Sequence, residues 1–195
     1  MQQPRKVAIL IFDEVEVLDF CGPFEVFSVA GQQESLDLFN VYTIAATSGP
    51  ILARNKLSIN PSFSLDNCPK PDILVVPGGY GTRKEMHNTE LVNWIGECSK
   101  NAELVLSVCT GALFLAKAGL LEGLQATTHH SALEILKKAA PNTKVVEERF
   151  VDNGKIILSA GISAGIDMSF YVVQKLFGRA RAVETAKYME YDWRG

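Results

Sequence analysis

Cys109 stands at the boundary between two patterns in the sequence. The apolar run Leu104–Val108 is typical of a buried strand, and a helical pattern follows the cysteine and ends near Gly119. Small residues, Ser107 and Gly111, lie two positions before and two positions after Cys109. This spacing predicts a strand-to-helix nucleophile elbow with sulfur as the attacking atom. The alternative is a buried cysteine that only fills space.

A thiol at such an elbow faces the amino-terminal end of a helix. The helix dipole and free backbone N–H groups favour thiolate there, so we expect a Cys109 pKa below about 8.5, the ordinary value for cysteine. Cys109 is then the most reactive of the four cysteines. No two cysteines have the C-x-x-C spacing, so the sequence predicts no metal site and no cofactor.

Asp19 is the candidate proton donor. Its surroundings, Val17–Pro23, are mostly apolar, so burial should raise the pKa of its carboxyl, and a carboxyl that keeps its proton can exchange it with a thiolate. Because Asp19 and an ionised Cys109 would repel each other, we expect the pair to share one proton. The alternative is a helix N-cap, since Gly22 and Pro23 are typical of a first helical turn.

Backbone N–H groups and two histidines complete the candidate site. Gly78 and Gly79 leave their N–H groups uncovered for an anion or a developing oxyanion, and the turn lacks the spacing of nucleotide-binding loops. His129 and His130 could act as a base for the thiol. Alternatively they cap or pack the next helix, for which Ser131 begins a capping-box pattern.

Strands that alternate with helices must position these residues. Continuous apolar runs such as Val7–Phe12 and 73–76 are typical of parallel strands buried on both faces. The predicted fold class is α/β, a three-layer sandwich with a mostly parallel central sheet. In such sheets sites lie at the carboxyl ends of strands, where the loops after Phe12, after Val76 and at the elbow meet. We also expect a hairpin within Ile51–Ile59.

Composition limits the partners. A chain of 195 residues with 47% hydrophobic content predicts one domain over residues 1–195. The net charge of −3 and the pI near 5.7 argue against nucleic acid or an anionic membrane as partner. The first apolar run is too short for a signal peptide or a membrane span, so we expect a cytoplasmic protein with reduced cysteines and a small-molecule partner.

Six stretches of the chain resemble the ThiJ/PfpI superfamily, and together they extend over nearly its whole length. Within that superfamily the sequence is most similar to the isocyanide hydratase branch and to the sensor-like domains of AraC-type regulators. The stretches are Phe12–Pro23, Val76–Gly79, Ser107–Ala112, Ala118–Gly123, Ala126–His129 and Ala160–Asp167.

The resemblance implies a flavodoxin-like sandwich, usually dimeric, in which Cys109 is the nucleophile. By position Asp19 matches the acid of the hydratases, and Gly79 and the Thr110 backbone match their oxyanion donors, while the Thr110 side chain lies beside the nucleophile. Gly78, Cys21 and His129 are further expected substrate-binding residues. Three phenylalanines are candidates for the dimer seam, namely Phe20, Phe24 and Phe27.

At several positions the sequence departs from the family pattern, and these departures reduce the range of functions that we expect. Thr110 follows Cys109 and no histidine occurs after His130, which disfavours proteolysis and glutamine hydrolysis. Cys21 stands where the hydratases have threonine. The chain ends at Gly195 without the helix-turn-helix domain of the regulators, which predicts no nucleic-acid partner.

The function expected is hydration of a small isocyanide to an N-substituted formamide through a thioimidate on Cys109. Two alternatives stay open: a glyoxalase or deglycase activity on reactive carbonyls, and a ligand or oxidation sensor without turnover.

Overall fold

A seven-stranded sheet lies at the centre of the computed structural model, which describes residues 3–195. The strands are β1 (Arg5–Leu10), β2 (Phe39–Ala45), β3 (Ile51–Leu52), β4 (Ser58–Ile59), β5 (Phe63–Ser64), β6 (Ile73–Val76), β7 (Leu104–Val108), β8 (Gln125–Ala126), β9 (Lys144–Val145), β10 (Phe150–Asp152) and β11 (Ile156–Ser159). The helices are α1 (Val17–Val29), α2 (Thr82–Glu85), α3 (Thr89–Asn101), α4 (Ala112–Lys117), α5 (Leu133–Ala139), α6 (Ala164–Phe177) and α7 (Arg179–Tyr188).

The order of strands in the central sheet is β10-β11-β7-β6-β1-β2-β5. Every neighbouring pair is parallel except β10 and β11. Helices α1, α6 and α7 pack on one another, as do α3, α4 and α5, and these two groups flank the sheet. The predicted α/β class with a mostly parallel sheet is therefore confirmed.

The central strands are apolar because both of their faces are covered. Residues 7–10 of β1 and all of β6 are fully buried, and β7 is buried along its whole length. Parallel sheets covered by helices on both sides require such continuous apolar runs. Burial of these three strands fixes their carboxyl ends side by side, and the loops that follow them meet there.

Helix α1 begins five residues earlier than the sequence pattern predicts. Pro23 lies inside the helix and not at its start, so Asp19 belongs to the first turn of α1 and is not an N-cap. Glu16 occupies the N-cap position without a side-chain bond. Inside a helix, proline removes one backbone donor and its ring crowds the carbonyl four residues earlier, at a cost of about 3 kcal/mol. Burial of Phe20 and Phe27 on the sheet side outweighs that loss.

Two of the three phenylalanines proposed for the dimer seam are buried within their own chain. Phe20 and Phe27 are 4% and 0% exposed within the single chain, and Phe24 packs against the same core. Phe20 and Phe27 are therefore not available to a second copy, whereas Phe24 is only partly buried and its place in the seam stays a prediction.

Two smaller predictions concern hairpins and membranes. Strands β3 and β4 pair antiparallel, Ile51 with Ile59, which confirms the predicted hairpin. Within residues 3–195 none of the helices has the length and apolar character that crossing a membrane demands.

Candidate active site

The turn between β7 and α4 is a nucleophile elbow. Cys109 has φ 57°, in the left-handed region that side chains other than glycine rarely occupy, and it is 6% exposed. Its N–H donates to the Ala160 carbonyl (3.3 Å), and its carbonyl accepts from Thr128 Oγ1 (2.7 Å). A Cβ at Gly111 would lie 2.0 Å from the Val76 carbonyl oxygen, so only glycine fits two residues after the cysteine.

Asp19 is fully buried beneath this elbow. Its Oδ2 accepts a hydrogen bond from the Gly78 N–H (3.1 Å), whereas its buried Oδ1 has no hydrogen-bond partner within residues 3–195. Burial raises the pKa of Asp19 from 3.8 to about 7, although the nearby Cys109 thiol and the bond from Gly78 oppose the shift, and the charge of Glu16 adds to it. The carboxyl can therefore gain or lose a proton near neutral pH.

The predicted lowering of the Cys109 pKa is wrong. Burial raises the pKa of the thiol, and the charge of Asp19 raises it further, while the Thr110 N–H and side chain act in the opposite direction. The elbow pattern reveals the helix terminus but not the desolvation of the sulfur. Thiol and carboxyl are close enough to shift each other's pKa, and above about pH 7 the pair holds one proton.

The predicted N–H donors of Gly78 and Gly79 are engaged with protein groups. Gly78 N–H binds Asp19, and Gly79 N–H donates to Thr110 Oγ1 (3.0 Å), which also lies 3.1 Å from Thr82 Oγ1. A Cβ at Gly78 would lie 2.5 Å from the Thr110 nitrogen. These glycines hold the acid and the threonine in place, and the Thr110 N–H is the backbone donor that acts on the sulfur.

His129 borders the thiol but is bonded elsewhere. Its Nδ1 accepts from the Ser131 N–H (3.3 Å) and lies 2.8 Å from Ser131 Oγ, so His129 caps the turn in place of the predicted Ser131. No hydrogen bond joins His129 to Cys109 in the described part of the chain. Its pKa is lowered by burial, then by His130 and Arg83, which keeps the ring neutral at pH 7.

Cys21 is not brought to the site. It lies two residues beyond Asp19 on α1, is half-buried, and does not line the cavity at Cys109. Burial raises the pKa of this thiol.

An open cavity of about 170 Å³ leads from solvent to the sulfur. Charged, aromatic and apolar side chains surround it, whereas Asp19 lies behind its floor. The lining residues are Glu16, Arg54, Gly79, Tyr80, Arg83, Cys109, Thr110, His129, Ser131 and Ile162.

A fourth loop contributes a residue that the sequence analysis did not single out. A Cβ at Gly161, just after β11, would lie 2.7 Å from His129 Cδ2 and 2.8 Å from Cys109 Sγ. Gly161 lies within the family-like stretch Ala160–Asp167, but only the pairing of β11 with β7 shows that the ends of both strands lie together.

Backbone bonds tie the loops of the site together. Val15 and Gly79 form an isolated antiparallel bridge, Glu16 N–H donates to the Gly78 carbonyl (2.9 Å), and Arg54 N–H donates to the Val15 carbonyl (2.9 Å). The loop after β1, the glycine turn and the β3–β4 hairpin are thus one bonded unit. Residues 3–195 contain no cluster of three or more His, Cys, Asp or Glu that could hold a metal ion.

Comparison with known proteins places this geometry in a family. The chain is 33% identical over 187 residues to isonitrile hydratase of Pseudomonas putida, covering 95% of this chain and 76% of that protein. It is 30% identical to the HTH-type transcriptional regulator CdhR of Pseudomonas aeruginosa, with 91% of this chain and 52% of the regulator covered.

Among solved structures, a THiJ/PfpI family protein from Pseudomonas syringae superposes with a TM-score of 0.89 at 29% identity, over 99% of this chain and 77% of that one. The model of the DJ-1/PfpI family matches residues 5–175. The chain therefore belongs to the DJ-1/PfpI family.

Proposed function

We propose that the protein hydrates a small isocyanide, also called an isonitrile, to an N-substituted formamide. One observation carries the proposal: a thiol on a strained elbow lies close enough to a fully buried carboxyl, whose pKa is about 7, for each group to shift the pKa of the other. Such a pair can deliver a nucleophile and an acid to the same carbon. An isocyanide carbon requires both, because it gains a bond to sulfur and a proton together.

In the first half of the reaction Asp19 acts as base and then as acid. Its free Oδ1 takes the proton from the Cys109 thiol, and the sulfur bonds to the terminal carbon of the isocyanide. Asp19 then gives the same proton to that carbon. The product is a thioimidate, R–N=CH–S, attached to Cys109, and the carboxylate is regenerated.

Water completes the reaction in the second half. Its oxygen bonds to the thioimidate carbon, one water proton passes through Asp19 to the nitrogen, and the carbon–sulfur bond breaks. The remaining hydroxyl proton returns to the Cys109–Asp19 pair as R–NH–CHO leaves. The overall change is addition of one water molecule, with no oxidation or reduction.

Two groups near the sulfur support this assignment of roles. Thr110 N–H acts on the thiol and favours its ionised form during attack. His129 is kept neutral and bonded to Ser131, so the proton transfers fall to Asp19. The likeness to isonitrile hydratase is consistent with this chemistry.

The test offers phenyl isocyanide to the purified protein and follows formamide release by chromatography. Cys109→Ala should abolish turnover. Asp19→Asn retains the shape of the carboxyl but cannot pass a proton, so turnover should fall by about 100-fold or more. Cys98→Ala is the matched control, since Cys98 lies half-buried on α3 outside the cavity, and its turnover should equal that of the wild type.

Other outcomes point to the alternatives. If the protein consumes methylglyoxal in a Cys109-dependent way and forms no formamide, the hydratase hypothesis fails and an activity on reactive carbonyls takes its place. Consumption of neither compound favours a sensor, the class to which the likeness to CdhR points.

A further inference from the structure

The mouth of the Cys109 cavity is built around one exposed aromatic ring. Tyr80 is 64% exposed, and the guanidinium carbons of Arg54 and Arg83 lie 5.5 Å and 5.0 Å from its ring centroid. All three side chains line the same cavity as the nucleophile. Stacking on an aromatic face favours a guanidinium and limits its motion. Two cations thus line the same cavity as Cys109.

Within residues 3–195, Arg83 is the one of these two cations that lacks an acidic partner. Arg54 forms a 2.6 Å salt bridge with Glu14, and the charge of Glu16 also acts on it. The side chain of Arg83 forms no hydrogen bond or salt bridge with any residue in 3–195. His129 lies beside Arg83 and is neutral at pH 7, so it adds no second positive charge that a ligand would have to balance. The planar fork of Arg83 therefore faces the cavity mouth with its donors unused by protein acceptors.

We propose that the substrate of this site carries a carboxylate, which Arg83 binds at the mouth while the electrophilic carbon reaches Cys109. The inference rests on the proposed hydration and narrows its substrate to isocyanides that bear an anionic group. A guanidinium pairs with a carboxylate through two parallel N–H···O bonds, which orients the ligand as well as attracting it. A glyoxal or an alkyl isocyanide without charge would leave this donor unused.

The first test compares 4-isocyanobenzoate with the neutral and nearly isosteric 4-isocyanobenzamide. In the wild type kcat/KM should be higher for the carboxylate. In Arg83→Gln the ratio of the two kcat/KM values should fall about fivefold, the effect of about 1 kcal/mol expected for a partly exposed ion pair. Lys84→Gln is the matched control, because it removes the same charge one residue away from a side chain outside the cavity.

A second readout does not require turnover. Iodoacetate and iodoacetamide differ mainly in charge, and the ratio of their rates at Cys109 can be measured by mass spectrometry of the modified peptide. Arg83→Gln should lower the iodoacetate-to-iodoacetamide ratio by a similar factor, and Lys84→Gln should leave it unchanged. If no isocyanide is hydrated, the proposed function fails, and this ratio alone decides the inference.

Three results would overturn the inference. One is an alkylation ratio that is the same in Arg83→Gln and the wild type, and another is an equal effect of Lys84→Gln. The third is a Cys109 that neither reagent modifies, because the proposal needs an open path from the mouth to the sulfur.

Discussion

At the scale of single residues, the proposed chemistry depends on proton transfer between Cys109 and Asp19. The elbow spacing singled out Cys109, whereas Asp19 was selected as the acid by its position in the family pattern, with a helix N-cap as the local alternative. Their protonation was predictable only for Asp19, whose apolar sequence neighbours indicate burial. The pKa of the Cys109 thiol shifts in the opposite direction from the one that the elbow pattern predicts. Its 6% exposure and the carboxyl beneath it outweigh the effect of the helix terminus.

The shared proton predicts a pH profile. Below about pH 7 Asp19 is protonated and cannot take the thiol proton, so kcat/KM should rise about tenfold per pH unit and level off above about 7. Asp19→Asn should remove this rise. Glu16→Gln should move the inflection to lower pH while the slope stays, because the charge of Glu16 raises the Asp19 pKa. A wild-type profile that is flat between pH 5.5 and 8 contradicts the assignment.

At the scale of elements, the site depends on how closely α4 approaches β6. The contact is between Gly111 and the Val76 carbonyl, and it lets the helix start directly after the nucleophile. Continuous apolar runs made β1, β6 and β7 predictable. The start of α1 was not, because Gly22 and Pro23 are local signals for the first turn of a helix, and tertiary burial of Phe20 and Phe27 overrides them.

Gly111→Ala should unfold or strongly destabilise the protein. Its Cβ would meet the Val76 oxygen at 2.0 Å, and neither backbone can retreat, so the free energy of unfolding should drop by about 3 kcal/mol or more. Gly96→Ala on α3 has open space around its Cβ and should gain up to about 1 kcal/mol from helix propensity. Urea midpoints of the two variants provide the measurement, and equal midpoints would rule out the close approach.

At the scale of the whole molecule, sheet order decides which distant residues meet. Gly161 lies against the sulfur because β11 pairs with β7, and nothing local in the sequence states that pairing. Asp19 is completely buried in the folded protein. Folding therefore includes the free-energy cost of burying an acid that the proposed reaction needs.

This cost predicts that Asp19→Asn is more stable than the wild type at alkaline pH. The folded pKa of about 7 exceeds the unfolded value near 3.8, so the folded state is favoured below about pH 4 and loses this contribution as pH rises through 7. The stability gap between variant and wild type should grow with pH to at most about 4 kcal/mol. Urea unfolding at pH 5 and pH 8 measures it; a gap that shrinks with pH is inconsistent with a buried acid.

Backbone bonds join the loop after β1, the glycine turn and the β3–β4 hairpin, and these bonds affect how the sequence of such a protein can change. The Val15–Gly79 bridge and the bonds from Glu16 and Arg54 use backbone atoms, so they restrict the residue type only at Gly79, where a Cβ would lie 2.4 Å from the Glu14 carbonyl oxygen. Mutation can therefore exchange the groups at the cavity entrance while the nucleophile and its acid keep their places. One inherited scaffold can in this way serve lineages with different ligands, and directed evolution of specificity has its natural starting positions at Arg54, Tyr80 and Arg83.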